Sequence, residues 1–247
     1  MKKIAHAALA VFAAVAAFPV AALAQDGAGA DDSDGITISG SATVVSDYRF
    51  RGFSQSNEKA AIQGGLTVSH DSGLYIGTWG SSIGFANGTE IDVFAGYARE
   101  VTSGLTADIG LTSYFYPGGG SGTNILEPYF SLSGDVGPAS VKAGVAWAPS
   151  GQTALGDYSA VYVYSDVGVG ITNTPLTLKG HVGYSKSDSA LGGLDGDVLD
   201  YSVGVDFSYK MLTLGVSYVN TDAPRAFGFK EGVGADGAVL FSLGASF

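Results

Sequence analysis

The last residues of the chain alternate strictly between two kinds of side chain. One set is apolar: Val239, Phe241, Leu243, Ala245 and Phe247. The other is small or polar apart from one leucine: Leu240, Ser242, Gly244 and Ser246. Because successive side chains of a strand point to opposite faces, this pattern predicts a strand with one apolar face. It is typical of a membrane β-barrel wall, and a half-buried edge strand of a soluble sandwich is the alternative.

The same alternation recurs from Ile36 onward and decides between these two folds. About twelve alternating runs are separated by turn residues, at 36–52, 60–70, 73–82, 89–99, 104–116, 124–135, 139–148, 158–169, 175–186, 198–209, 211–221 and 237–247. Bacterial barrels contain an even number of strands, and no helical periodicity of comparable length competes. The sequence therefore predicts an all-β fold for residues 36–247, a transmembrane antiparallel up-and-down β-barrel of about 12 strands. Strand boundaries between 158 and 200 stay open.

The connections between the runs alternate in length. The tight ones are His70–Gly73, Glu100–Ser103, Asp135–Pro138 and Lys210. The longer ones include Pro117–Gly122, Ser187–Asp197 and Asp222–Asp236. Short periplasmic turns on one rim and longer extracellular loops on the other are the pattern of outer-membrane barrels. Residues 166–175 can be read as either strand or loop.

The N-terminal residues predict export. Lys2 and Lys3 precede an apolar run from Ile4 to Ala22, and Ala22-Leu23-Ala24 matches a cleavage site. We therefore expect residues 1–24 to be a cleaved secretory signal peptide, with a membrane anchor as the alternative. Residues 25–35 are rich in Gly, Ala and Asp and predict an acidic, disordered periplasmic stub. The expected location is the bacterial outer membrane, reached through the periplasm.

Composition excludes several classes of partner. The chain has no Cys, so a disulfide scaffold and a thiolate metal site are both excluded. Its formal net charge is −11, which argues against nucleic acid because few basic groups could neutralise a phosphate backbone. Asp195-Gly196-Asp197 lies in a Gly-rich loop but lacks a full Ca²⁺-binding motif, so a solvated loop is favoured. No metal and no cofactor is expected.

Aromatic residues at the ends of the runs predict two girdles at the membrane interfaces. The outward-facing set is Phe50, Trp79, Tyr97, Phe115, Trp147, Tyr184, Tyr209 and Tyr218, with Phe247 at the lower rim. Aromatics that simply occupy core-facing positions are the alternative, since strands favour aromatic residues in general. The terminal Phe247 resembles the C-terminal signal that outer-membrane barrels present to their assembly machinery.

Charged residues on the opposite parity predict a polar cluster in the lumen, because charges facing lipid are costly. The candidate lumen or constriction residues are Asp47, Arg49, Arg51, Glu90, Asp92, Tyr114, Tyr116 and Glu127. Such a cluster could be a selectivity filter or a purely structural salt-bridge network that plugs a narrow barrel. Other charged residues predicted to face inward are Asp108, Lys142, Lys179, Asp200 and Asp206.

One segment carries a family resemblance. The stretch Ser46-Asp47-Tyr48-Arg49-Phe50-Arg51-Gly52-Phe53-Ser54-Gln55-Ser56 resembles the N-terminal signature of the TorF-type porins of Gram-negative bacteria. Glu90-Ile91-Asp92, Gly96-Tyr97 and Tyr114-Phe115-Tyr116-Pro117 resemble later motifs of that family. The likeness is specific in the first half of the chain and diffuse from about Tyr158 onward. It implies an outer-membrane porin without a defined substrate.

These observations predict an outer-membrane porin for passive diffusion of small hydrophilic solutes, weakly cation-preferring because acidic residues outnumber basic ones in the predicted lumen. Small inward side chains favour an open pathway over the alternative, a closed structural or adhesive barrel. A lipid-modifying enzyme is less favoured, since His70 and His181 lack a readable nucleophile on the outer face. Expected partners are outer-membrane lipid, small solutes and the barrel-assembly machinery through the C-terminal strand; the oligomeric state stays open.

Overall fold

The computed structural model describes residues 35–225 and 229–247, and in them the chain forms a closed antiparallel barrel of twelve strands. Apart from the closing pair of first and last strands, neighbours in the barrel follow each other along the chain, and a small hairpin of β2 (Arg49–Phe50) and β3 (Phe53–Ser54) forms a separate sheet. The wall strands are β1 (Ile36–Val45), β4 (Ala61–His70), β5 (Leu74–Ser82), β6 (Thr89–Thr102), β7 (Leu105–Phe115), β8 (Ile125–Val136), β9 (Ala139–Ala148), β10 (Ala160–Gly170), β11 (Leu176–Ser187), β12 (Asp197–Tyr209), β13 (Leu212–Thr221) and β14 (Ala238–Ser246). The predicted up-and-down barrel is confirmed.

Alternation along each strand sorts side chains between the outer surface and the lumen. In β6, Ile91, Val93 and Tyr97 are exposed on the outer surface, whereas Glu90 and Asp92 are buried. Exposed apolar groups on the outside and buried charges on the inside are the reverse of a soluble protein. This inversion suits a wall surrounded by lipid.

The two rims differ as the sequence predicts. Turns such as Ser103–Gly104 and Gly137–Pro138 are short, and both of their glycines have positive φ, +77° and +62°. The other rim carries longer connections with 3-10 turns at Ala86–Gly88, Thr153–Leu155 and Ala190–Gly192, and a short helix, α1 (Phe229–Gly232). We call these the short-turn rim and the long-loop rim. The ambiguous segment 166–175 is strand as far as Gly170, where β10 ends.

The first run is shorter than predicted. The pattern at 36–52 indicates one continuous strand, but β1 ends at Val45 and the chain then leaves the wall. The Ser46 amide and hydroxyl cap the backbone of Phe241, and residues 46–60 continue inward. This inward segment contains β2 (Arg49–Phe50) and β3 (Phe53–Ser54), which are joined by a turn with positive φ at Arg51 (49°) and Gly52 (83°).

Inward-facing tyrosines lie flat against the wall rather than pointing at the barrel axis. A Cβ added to Gly110 would stand 2.5 Å from the Tyr129 hydroxyl, and one added to Gly144 would stand 2.6 Å from the Tyr164 ring. Each ring therefore rests on an inward glycine of a neighbouring strand. The glycines make room for rings that would otherwise occupy the lumen.

The barrel closes where β14 pairs with β1, from Ser246 opposite Ser41 to Ser242 opposite Val45. Phe247 extends this seam, because its amide and carbonyl both hydrogen-bond Gly40. Within the described ranges, no helix is long and apolar enough to span a membrane. The predicted signal peptide, residues 1–24, and nearly all of the predicted stub, residues 25–35, lie outside the described residues.

Candidate functional site

The segment 46–60, here called the inward hairpin, contacts strands around most of the barrel circumference. Tyr48 reaches Glu90 on β6, Phe50 packs on Tyr114 of β7, and Arg51 bonds Glu127 on β8. On the far side, the Arg51 guanidinium lies 4.2 Å from the centre of the Tyr162 ring on β10. Only a segment inside the barrel can touch all of these strands. The inward hairpin therefore crosses the lumen near the long-loop rim.

Arg51 forms the central ion pair of this region. One terminal nitrogen, Nη2, donates to both Glu127 carboxylate oxygens at 2.7 and 2.8 Å, and the Tyr114 hydroxyl donates to the same carboxylate at 2.9 Å. Arg51 and Glu127 are almost fully buried. A guanidinium held by a carboxylate and stacked between the rings of Phe50 and Tyr162 fixes the hairpin tip in one position.

Arg49 anchors the hairpin to the barrel seam. Its Nε donates to Asp47 at 2.5 Å, and Nη1 donates to the carbonyl of Gly234 in the loop before β14. The Asp47 carboxylate also accepts from the hydroxyls of Ser54 and Ser56. The base of the hairpin is therefore held by a hydrogen-bond network of its own residues, and Arg49 ties that network to the loop before β14.

Two acidic residues beside the hairpin have no cationic side chain paired with them in the described ranges. The Glu90 carboxylate accepts from the Tyr48 hydroxyl at 2.7 Å, and the Tyr116 hydroxyl also approaches it. Asp92 is completely buried, and neither of its carboxylate oxygens has a hydrogen-bond partner among the described residues. Both lie on the inward face of β6, so this side of the lumen carries two carboxyl groups without a cationic partner among the described residues.

A vestibule of about 440 Å³ opens above the hairpin at the long-loop rim. Aromatic side chains of the hairpin and the loops form much of its wall, including Phe50, Phe85 and Tyr116. The carboxylates of Glu90 and Glu127 stand at the same cavity. Its size falls in the range of small-molecule pockets.

The lumen nearer the short-turn rim has a different charge arrangement. Lys179 pairs with Asp206 at 2.6 Å. His181 lies between Asp166 at 2.6 Å and Asp200 at 3.1 Å, and its Nε2 is 2.9 Å from the Tyr162 hydroxyl. Acidic and basic groups therefore face each other as partners at this level.

All eight predicted lumen residues lie inside the barrel, and seven of them are fully buried. The inward charges predicted at Asp108, Lys142, Lys179, Asp200 and Asp206 also face the lumen. Their function as a constriction stays a prediction. Among the described residues, no group of three or more acidic, His or Cys side chains is arranged to hold a metal ion.

Six of the predicted girdle residues lie on the outer surface: Tyr97, Phe115, Trp147, Tyr184, Tyr209 and Tyr218. Two others were assigned to the wrong face. Phe50 is on the inward hairpin, because the strand ends before it. Trp79 shares the inward parity of Tyr75 and packs edge-on against Tyr48, with ring centres 5.5 Å apart.

Several inward aromatics were missed by sequence reasoning. Tyr48 continues the alternation of β1 as an outward residue, but the structure buries it against Glu90. Tyr162 and Tyr164 stack on each other with ring centres 5.6 Å apart inside the barrel. Both share the parity of Asp166 in β10, and that charged residue was a usable signal of the inward face. The expectation of a lumen lined mainly by small residues is therefore wrong at the level of these rings.

Phe247 lies at the barrel seam. Its ring covers Gly40 on the outer surface, where an added Cβ would stand 2.8 Å from the ring. Its backbone bonds to Gly40 extend the pairing of β14 with β1 by one residue. The function of Phe247 as an assembly signal stays a prediction.

A closed twelve-stranded barrel with an apolar outer wall, a charged lumen and an inward loop defines a porin-like β-barrel. Solved structures agree with this class. The NanC porin superposes with a TM-score of 0.58 at 14% identity, over 85% of this chain and 99% of that chain. The KdgM porin gives 0.57 at 10% identity, over 85% and 98%. At these identities the likeness shows the fold alone.

The chain belongs to Gcw_chp, a family of bacterial proteins of unknown function whose family model matches residues 29–247. The resemblance to TorF-type porins is not confirmed by this match. No curated protein matches the chain significantly.

Proposed function

We propose that the protein is an outer-membrane porin through which small hydrophilic solutes diffuse passively, with a weak preference for cations. The observation that carries this proposal is the inward hairpin beside the uncompensated carboxylates of Glu90 and Asp92. A loop that crosses the lumen narrows it, and the charges at the narrowest level act most strongly on a passing ion. In this proposal the hairpin forms the constriction, and the acidic residues of β6 line the side of the pathway that faces the hairpin.

The orientation follows the rule for outer-membrane barrels. The long-loop rim and its vestibule face the outside of the cell, and the short-turn rim faces the periplasm. Outer-membrane lipid covers the exposed apolar wall, and the aromatic residues near both rims, such as Trp147 and Tyr209, sit at the headgroup level. Export through the periplasm and insertion by the barrel-assembly machinery belong to the same proposal.

Charge pairing supports the cation preference. Near the hairpin, Arg51 is matched by Glu127 and Arg49 by Asp47, which leaves Glu90 and Asp92 in excess. Nearer the periplasm, Lys179 and His181 each have acidic partners. The KdgM porin has been solved in complex with disordered oligogalacturonate. The acidic lumen proposed here favours solutes of the opposite charge.

Single-channel recording of the purified barrel in a planar bilayer tests the proposal. We expect discrete conductance steps and, in a salt gradient, a reversal potential on the cation side. The preference should fade at high salt, as the screening length falls to about 3 Å at 1 M. Anion preference in the unmodified protein would refute the electrostatic part of the proposal, whereas the proposed pore would still stand.

A closed structural or adhesive barrel is the second candidate, favoured by the tight packing of the hairpin. Tyr48, Arg51 and Glu127 are each at most 3% exposed, as in a protein core. The flat packing of Tyr129 and Tyr164 on wall glycines argues the other way, since it keeps rings away from the axis. A folded barrel that never conducts, even when the hairpin is weakened, would favour the closed candidate.

A lipid-modifying enzyme has less support. His181 lies in the lumen between two aspartates and therefore does not face lipid. His70 is exposed at the short-turn rim, where its Nδ1 lies 2.8 Å from the Ser72 hydroxyl. The same Nδ1 accepts from the Ser72 amide at 3.1 Å, so this contact stabilises a turn. We therefore propose that the protein is not an enzyme.

A further inference from the structure

The vestibule combines aromatic rings with carboxylates. Rings of Phe50 and Tyr114 meet edge-on at 5.8 Å, and those of Phe85 and Tyr116 lie 5.7 Å apart. The charged residues that line the cavity are Glu58, Glu90 and Glu127; no Lys or Arg lines it within the described part of the chain. Aromatic faces and carboxylates both attract positive charge, and the rings also bury apolar surface.

The three carboxylates are not equivalent. Glu127 is already paired with Arg51, and Glu58 has a largely exposed side chain 3.5 Å from Arg49. Glu90 is only 2% exposed and receives a hydrogen bond from the neutral Tyr48 hydroxyl. Buried Asp92, without a hydrogen-bond partner among the described residues, follows two positions later on the same face. Burying such charges without a cation is costly, so a cation beside Glu90 would be stabilised.

We propose that the vestibule binds a small organic monocation, an ammonium group carried on a compact apolar body. The ammonium lies against Glu90, and the apolar body lies among Phe50, Phe85 and Tyr116. A cavity of about 440 Å³ holds such a molecule, whereas a hydrated inorganic ion would leave the rings uncovered. This inference adds a solute class to the proposed porin function, and the site matters for transport only through that function.

Isothermal titration calorimetry of the folded barrel in detergent tests the site without any transport. The probes are benzylammonium, benzyl alcohol, benzoate and ammonium, which separate charge from apolar body. We expect benzylammonium to bind most tightly, with the alcohol and ammonium at least about tenfold weaker and benzoate without measurable heat. Equal binding of benzoate, or no benzylammonium heat from a correctly folded barrel, would overturn the inference.

Two matched pairs of variants locate the site. Glu90→Gln should weaken benzylammonium binding by about tenfold, whereas Glu100→Gln, at the other end of β6, should not change it. Phe85→Leu should weaken binding several-fold, whereas Phe130→Leu on the outer wall should have no effect. If the Glu90→Gln variant binds benzylammonium as tightly as the unmodified protein does, the measured heat comes from another site and the inference is overturned.

Bilayer recording distinguishes this inference from the proposed function. In a conducting barrel, benzylammonium added on the long-loop side should reduce the current, and less so in Glu90→Gln. A conducting barrel that neither binds benzylammonium nor is blocked by it would overturn the cation site and leave the porin. A barrel that binds benzylammonium but never conducts, even when the hairpin is weakened, would support the site and refute the porin.

Discussion

The two levels of the lumen are built from the same residue types but balance them differently. Below the inward hairpin, Lys179 and His181 face aspartates across neighbouring strands. Near the long-loop rim, the cations arrive on a separate segment, the inward hairpin, and they leave Glu90 and Asp92 uncompensated. At the lower level the basic side chains and their acidic partners all belong to the wall strands, whereas at the upper level the basic side chains come from a loop. Selectivity and gating are therefore expected at the upper level.

Removing the hairpin's central cation should have the largest effect. Arg51→Met leaves the buried Glu127 carboxylate unpaired, a change that costs about 3–5 kcal/mol. We expect a lower unfolding temperature on heat-modifiability gels and a larger conductance in bilayers. Adding Glu127→Gln should restore much of the stability.

Arg225→Met is the control for that experiment. Arg225 pairs with Asp236 at 3.0 Å on the same rim, but its side chain is 73% exposed, so little change is expected. Equal losses in the two single variants would contradict the view that the upper level depends on the hairpin.

A smaller effect is expected where a ring rests on the wall. Gly183→Ala places a Cβ on the Tyr162 hydroxyl, which His181 and Asp200 hold in place. We expect a loss of about 1–3 kcal/mol in unfolding experiments, the usual cost of overpacking. Gly168→Ala is the control, since its nearest neighbour would be 3.9 Å away. If neither variant changes the free energy of unfolding, the rings are not fixed against the glycines.

Neutralising charges should separate the two levels without disturbing the fold. Glu90→Gln with Asp92→Asn removes uncompensated charge, so the reversal potential should move toward anions. Lys179→Met with Asp206→Asn removes a balanced pair and should leave the reversal potential unchanged. If the reversal potential shifts equally in both double variants, the two levels of the lumen do not differ in their effect on ion selectivity.

Cysteine labelling should perturb the barrel least. Gly120→Cys suits the long-loop rim, because a Cβ there meets nothing within 4 Å, while Gly119 is crowded by Thr123. An impermeant reagent on whole cells should label Gly120→Cys and spare Ser72→Cys. Labelling of the Ser72 variant alone would invert the orientation and move the vestibule to the periplasmic side.

Sequence reasoning was most accurate where alternation was long and unbroken. The parity of Ile91 and Val93 placed Glu90 and Asp92 inside, and the structure agrees. Trp79 was misassigned because its position near a strand end outweighed the parity set by Leu74 and Ile76. The barrel itself was predictable because period-two patterning and loop lengths are local signals.

The hairpin was not predictable from the same signals. Residues 46–52 continue the alternation of β1, although the chain turns inward there, and the decisive contacts join positions far apart in sequence. Arg51 meets Glu127, and Arg49 meets Gly234. The turns at Arg51–Gly52 and Asn57–Glu58, each with positive φ at both residues, are the local traces of the changes of direction within the hairpin.

The position of Arg49 has a consequence for assembly. It links the hairpin that follows the first barrel strand to the loop that precedes the last, and these two strands form the seam. Pairing of sequence-distant strands is slow, since a long loop must close before the contacts form. The bond from Arg49 to Gly234 therefore forms only when the first and last strands of the barrel lie side by side. Burial of the hairpin and closure of the seam thus stabilise each other, although the hairpin itself is local to the first two wall strands.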